Sequence, residues 1–329
     1  MRPAHYDEYG QSKVIAEKAL VDSGLPKWVS LRQTGIFHPG MLEIRDPILT
    51  HSPFGAVMEW TSAEDSARPV VNICDGAAPE GLWCDIYNIG GGAEWRLTNW
   101  QLQTKMTTAV GVKDFREWYD RNWFASRNFH GQWYTDSDEL EKLIPFRQDS
   151  FDAALARAVA LNPGLRIAGK IPPWIVKRFF IKPLTLKPRG TMAYLRAGDE
   201  QAISAYFGSR TESDAIGDWS TFVPPKPDPT PTYLDHGYDE AKPRTRWNSS
   251  DYAAAAEFRG GELLSREVGT GEITSVLTWR CGLGHEFDAS PLLVLRGGHW
   301  CPKCVRDTFG NEAQAEHNRF LAQLQPSPS

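Results

Sequence analysis

Four residues near the end of the chain, Cys281, His285, Cys301 and Cys304, constrain its folding most, because three thiols and one imidazole at these intervals can converge on a single metal ion. Convergence requires two backbone knuckles to face each other. Trp279-Arg-Cys-Gly-Leu-Gly-His-Glu-Phe287 supplies one and Gly298-His-Trp-Cys-Pro-Lys-Cys304 the other, separated by about the length of a hairpin arm and its return. Four protein ligands close a tetrahedral shell, which describes structural zinc; a catalytic site keeps a position open for water. His299 is a competing ligand, but two residues before Cys301 it chelates with poorer geometry. A redox Cys-x-x-Cys is the other reading of the last pair, and the thioredoxin-like βαβ setting it needs is missing.

The remaining composition is ordinary. A length of 329 residues suggests two or three domains, and with 41% hydrophobic and 23% charged residues there is material for a sizeable core. No apolar run approaches the roughly eighteen residues needed to span a membrane, so membrane insertion is not expected. The first twenty residues contain Asp7, Glu8 and Glu17 and no apolar signal core, which predicts a reducing, cytoplasmic setting. Cys74 and Cys84, left over from the metal set, are expected to pack as small apolar side chains in strands. The net charge of −5 argues against a nucleic-acid binder. Residues 245–329 hold eight Lys or Arg against ten Asp or Glu, a net of −2, so the metal-bearing end fits protein contact or plain stabilisation better than a phosphate backbone.

Five prolines between Pro224 and Pro231, followed by Pro243, predict an extended, poorly packed linker over 223–245. Before it, alternating patterns predict a helix over Gly10 to Asp22, strands at Trp28 to Arg32 and Cys84 to Ile89, and a helix opening at Thr98, the rhythm of an α/β domain. Residues 153–198 carry nine Lys or Arg, no acidic residue, and Trp174, Phe179, Phe180 and Ile181. This strip is either a solvated face on helices capping the first domain or a surface for an anionic partner or membrane. The expected domains are 1–165, a helical basic extension over 166–222, the linker, and a zinc domain over 246–329.

In Tyr9-Gly-Gln-Ser-Lys13 the tyrosine and lysine sit four apart on a predicted helix, where their Cβ atoms lie roughly 5–6 Å apart. An ammonium there can stabilise the phenolate and bring its proton exchange closer to neutral pH. By itself this spacing also describes any surface pair. The longer stretch through Leu20, however, resembles the active-site helix of the extended short-chain dehydrogenase/reductase family of nicotinamide-dependent epimerases and dehydratases. Three further segments resemble the family in its order: Trp28-Val-Ser-Leu-Arg-Gln-Thr-Gly-Ile-Phe-His-Pro39, Glu64-Asp-Ser-Ala-Arg68 and Tyr87-Asn-Ile-Gly-Gly-Gly92. The resemblance covers about residues 5–110 and weakens to about 165.

The resemblance implies that Tyr9 is the general acid/base for a substrate hydroxyl. It also implies that Lys13 lowers the tyrosine's pKa and bonds the nicotinamide ribose, and that Thr34, Gly35 and Ile36 lie beside the nicotinamide of NAD or NADP. A sugar nucleotide or another hydroxyl or carbonyl compound is the implied substrate, with Met58-Glu-Trp60 and the aromatic run Phe115 to Tyr134, including Trp118, Trp123 and Trp133, either shaping its pocket or packing the core. Relatives dimerise through the tyrosine helix, so a homodimer is implied.

The family's dinucleotide-binding half lies before the tyrosine, and eight residues precede Tyr9 here. The chain has no Gly-x-x-Gly-x-x-Gly turn for the pyrophosphate, and Gly90-Gly91-Gly92 reads as a flexible turn. The fold expected is therefore a partial Rossmann-like α/β domain followed by a module that resembles small zinc ribbons or treble clefs, with Cys301 to Cys304 leading into a helix around Asn311 to Leu324. The function expected is the C-terminal portion of an NAD(P)-dependent oxidoreductase, epimerase or dehydratase, inactive without a nucleotide-binding half supplied upstream or by a partner chain. The alternative is a non-catalytic protein that docks a protein partner through the zinc module.

Overall fold

A computed structural model of the chain describes residues 8–43, 46–127, 131–306 and 311–323. Helix α1 (Glu8–Val21) leads into strands β1 (Val29–Gln33), β2 (Gly35–Phe37) and β3 (Val57–Ser62), then α2 (Ala63–Cys74), β4 (Asp85–Ile89), β5 (Arg96–Thr98) and α3 (Asn99–Ala109). Helices follow: α4 (Asp138–Leu143), α5 (Phe151–Leu161), α6 (Pro173–Val176), a π-turn over Lys177–Ile181, α7 (Lys182–Thr185), α8 (Thr191–Ala197), α9 (Glu200–Phe207) and α10 (Arg210–Asp214). The C-terminal part holds α11 (Ser249–Phe258), β6 (Glu262–Leu263), β7 (Leu277–Arg280), β8 (Glu286–Ala289), α12 (Pro302–Arg306), α13 (Asn311–His317) and α14 (Arg319–Ala322). The architecture is mixed α/β, and among the described residues no sheet exceeds three strands.

The first helices and strands form close to where the sequence puts them, because their ends carry local signals. The Thr98 hydroxyl accepts from the Gln101 amide at 3.0 Å while the Gln101 side chain accepts from the Thr98 amide at 2.8 Å, so α3 opens on a reciprocal cap. The resembling segment Glu64–Arg68 lies at the start of α2. Ser62 caps it by accepting from the Asp65 amide, and the carboxylates of Glu64 and Asp65 suit the helix's positive end.

The described residues form two compact units. One comprises residues up to Ser30, Trp83–Ile86 and those from Thr230 onward; the other comprises Leu31–Leu82 and Tyr87–Pro229. The division falls inside β1 and β4, which pair as a two-stranded sheet. It does not follow the boundaries expected from sequence at 165 and 222. The reason is apolar burial: α1 contributes Val21 to a cluster with Trp28, Ile86, Leu292 and Leu293, so the chain's start is built into the unit that contains its end. The boundary between Pro229 and Thr230 does fall within the proline-rich run. The later part of that run is packed rather than loose, since Tyr238 lies against Trp247 at 5.4 Å and donates to the Leu295 carbonyl at 3.2 Å.

In the second unit, β2 runs parallel to β3 with Gly35 opposite Trp60, and β3 runs antiparallel to β5 with Val57 opposite Thr98. Alternate residues of this sheet, with α3 and α5, bury Phe37, Leu97, Leu102, Phe151 and Leu155. A second cluster gathers Phe54, Phe115, Trp118, Tyr119, Trp123 and Phe124. Trp118 and Trp123 are thus core residues, not pocket walls. Trp133 is half-buried beneath the Arg96 guanidinium, 4.2 Å from the ring centre.

Glu59 is wholly buried at the middle of this unit. Its carboxylate accepts from Arg96 Nε at 2.9 Å, Ser137 Oγ at 2.6 Å, and the amides of Gly92 and Tyr134 at 3.1 and 3.2 Å. These bonds offset the cost of removing the charge from water. They also explain the triple glycine, whose reason is close packing rather than flexibility. A Cβ at Gly90 would overlap the Glu59 carboxylate, one at Gly91 would meet the Trp95 ring and stand 2.7 Å from the Trp60 carbonyl, and Gly92 has φ +83°.

Two other expectations are corrected. Cys74 is exposed at the end of α2, and Cys84 is half-buried at φ +57° just before β4, so neither packs inside a strand. The single helix expected after Cys304 is two helices, α13 and α14, separated by Asn318, whose extended backbone lets its side chain cap the second one at the Leu321 amide. Leu324 lies outside the described residues.

Candidate metal centre

The hairpin β7–β8 carries the first knuckle. Leu277 pairs with Ala289 and Arg280 with Glu286, which leaves Cys281 to His285 as the loop at the tip. The Cys281 amide donates to the His285 carbonyl at 3.0 Å, the Gly284 amide to the Cys281 carbonyl at 2.8 Å, and the His285 amide to the Cys281 sulfur at 3.4 Å. Gly284 turns at φ +79°, where a side chain would be strained. The second knuckle is the entry to α12: Cys301 precedes it, Pro302 opens it, and Cys304 lies one turn in, with the Val305 amide donating to the Cys301 carbonyl at 3.1 Å.

The four ligand atoms lie within 4.8 Å of one another. Cys281 and Cys304 sulfurs are 3.7 Å apart, and His285 Nδ1 stands 3.7 Å from the Cys301 sulfur and 3.5 Å from that of Cys304. A tetrahedron with Zn–S of about 2.3 Å and Zn–N of about 2.0 Å has edges of about 3.8 Å between sulfurs and about 3.5 Å between sulfur and nitrogen. These three separations lie close to those edges, and with all four atoms inside 4.8 Å the group could hold a metal ion. The three cysteines are free and buried and His285 is partly buried. Burial, and then the neighbouring Cys301 and Cys281, push the Cys304 thiol far above the usual range, so a cation is needed to stabilise several thiolates in so small a space.

Trp279 and Trp300 flank the cluster. Trp279 is fully buried and its indole donates to the Ala289 carbonyl at 2.8 Å; Trp300 lies edge-on to Phe287 at 5.1 Å. Arg259, at the end of α11, is also buried. It lines a small cavity with Cys281, Cys304 and Trp300, donates to the His236 and Ala255 carbonyls at 2.8 and 3.0 Å, and has no carboxylate at ion-pair distance among the described residues. Desolvation lowers its pKa to about 10. Sequence reasoning missed this buried cation, because nothing in its spacing from Cys281 announces that the two share a cavity. His299 is not in the metal group: its Nε2 lies 2.7 Å from Glu17 Oε1 of α1, and Glu17 also accepts from Ser30 Oγ at 2.6 Å.

The residues expected around a nicotinamide are distributed over both units. Tyr9 and Lys13 are a turn apart on α1 in the first; the Lys13 side chain is exposed, and that of Tyr9 lies outside the described set. Thr34, Gly35 and Ile36 belong to the second unit. The Thr34 hydroxyl is committed to the Glu59 carbonyl, a Cβ on Gly35 would stand 2.6 Å from the Met58 sulfur, and Ile36 is exposed on β2. No family model, curated protein or solved structure matches the chain.

Proposed function

We propose that Cys281, His285, Cys301 and Cys304 bind one structural zinc ion, and that the zinc-stapled chain is the C-terminal portion of an NAD(P)-dependent oxidoreductase, epimerase or dehydratase acting on a sugar nucleotide or similar hydroxyl or carbonyl substrate. The zinc reading is carried by the convergence of three cysteine sulfurs and one imidazole nitrogen within 4.8 Å, a four-ligand set that leaves no open position for catalytic water. Three free thiols at ligand distance fit a reducing compartment such as the cytoplasm.

The oxidoreductase reading is supported by α1, which sets Tyr9 and Lys13 on successive turns, and by the β1–β4 pair after it. Tyr9 moves a proton to or from the substrate hydroxyl, Lys13 favours its phenolate, and NAD(P) supplies the hydride chemistry. The 329 residues contain no glycine turn to cradle a pyrophosphate. Titration of the chain with NADH and NADPH is therefore expected to show no stoichiometric binding at micromolar protein, with binding restored on adding a dinucleotide-binding half as a second polypeptide and weakened again by Lys13→Met. Tight binding by the chain alone, or none in any combination, overturns this reading. Exposed Leu283 and Val305 beside the metal ligands favour a second reading, a non-catalytic protein that docks a protein partner through the zinc module.

A further inference from the structure

The segment from Pro173 to Thr185 is helical throughout, as α6, the π-turn and α7. Its inner face is anchored: Val176 and Ile181 are buried in the aromatic core of the second unit, and Leu184 and Thr185 are buried beyond them. The π-turn places an extra residue in one turn, with the Lys182 amide donating to the Lys177 carbonyl. That extra residue lets Val176 and Ile181 both face inward while Arg178, Phe179 and Phe180 stand consecutively in solvent. Trp174, Phe179 and Phe180 are 62, 58 and 63% exposed. The Trp174 and Phe179 rings meet edge-on at 6.5 Å, Arg178 lies over Phe179 at 5.8 Å, and Leu186 is exposed just past the helix.

Charge sets this surface apart from the rest of the chain. Residues 170–189 contain Lys170, Lys177, Arg178, Lys182, Lys187 and Arg189 and no acidic residue, in a chain of net charge −5. Lys177 is paired with Asp120 at 2.5 Å, whereas Lys170, Arg178, Lys182 and Lys187 are exposed. Outward aromatic rings on a short helix, flanked by cations and held rigidly from behind by buried residues, match the chemistry of the headgroup layer of an anionic bilayer. Rings and aliphatic groups enter the acyl boundary there while ammonium and guanidinium groups meet lipid phosphate.

We propose that Trp174, Phe179, Phe180 and the surrounding Lys and Arg residues dock the chain on an anionic membrane surface. The helix lies in the plane of the interface and does not cross it; no helix of the described residues is long and apolar enough to do so. Exposed Leu186 at the end of α7 favours lipid over a single-stranded nucleic acid, because an aliphatic side chain offers a base no stacking face.

The test is co-sedimentation of the full chain with vesicles of phosphatidylcholine alone and of phosphatidylcholine with one-third phosphatidylglycerol. Binding is expected only to the second, to weaken as salt is raised, and to fall at least tenfold in F179S/F180S and in K182E/K187E. All four positions are exposed, so circular dichroism and melting should match the parent protein. Equal binding to both vesicles, no binding to either, or unchanged binding by both double variants overturns the proposal. So does binding of poly(U) or poly-glutamate through these residues without binding to the anionic vesicles.

Discussion

If Cys281, His285, Cys301 and Cys304 hold zinc as proposed, removing the ion should unfold the knuckles while leaving the second unit intact. The strands around the site are two to four residues long and α12 has five, lengths that do not persist alone in water. With the proposed zinc bound, their order would rest on the buried cluster and on the ion, and a structural zinc contributes about 10–16 kcal/mol in small peptides. Against a whole-domain stability of about 5–15 kcal/mol, that loss exceeds what local packing can replace. Amide exchange at Cys281, Gly284 and Val305, each bonded inside a knuckle, is expected to accelerate at least ~1,000-fold in metal-free protein, corresponding to about 4 kcal/mol. The Glu59 amide, bonded to the Gln132 carbonyl at 2.8 Å in the other unit, should exchange as before. The assay is hydrogen–deuterium exchange before and after chelation, with metal content measured on the same samples. Loss of one ion per chain with protection at the three knuckle amides retained to within about tenfold would refute the reasoning.

Two further outcomes follow from the second unit. Glu59→Gln keeps the shape but removes the charge that faces Arg96, and is expected to cost about 3–5 kcal/mol in urea unfolding; a loss below about 1 kcal/mol would show that the buried pair is dispensable. Asp149 lies 2.9 Å from Arg157 Nη1, and this hydrogen bond holds its carboxyl below the usual 3.8. A depressed folded pKa adds stability above the unfolded value and loses it as pH falls through the folded one. Asp149→Asn should therefore lower the urea midpoint near neutral pH, with the gap to the parent closing as pH falls through the folded pKa of Asp149; a gap that does not narrow on acidification would contradict it.

How much could be read in advance depended on the range of the interactions. Thr98 with Gln101 and the Cys281 to His285 spacing act within a few residues, so the opening of α3 and the first knuckle were legible. The domain boundaries were not, because the burial of Val21 against Leu292 and Leu293 links positions about 270 residues apart, and no local pattern encodes that pairing. Glycine and tryptophan were ambiguous for a related reason. Gly90 to Gly92 look like a flexible turn until the Glu59 carboxylate and Trp95 ring are seen to occupy the space a Cβ would need, and Trp118 and Trp123 read equally as pocket walls or core until they are seen clustered with Phe54 and Phe115.

The sequence by itself determined the ligand types of the metal site, the caps that start its helices and the basic, acid-free strip over 153–198, since each depends on side-chain chemistry at short spacing. Tertiary structure alone decided that four ligand atoms come within 4.8 Å of one another, that His299 turns instead to Glu17, that Arg259 is buried beside the thiols, and that Phe179 and Phe180 both face water. Each of these depends on which distant surfaces exclude water together, a property of the packed chain that spacing along it does not carry.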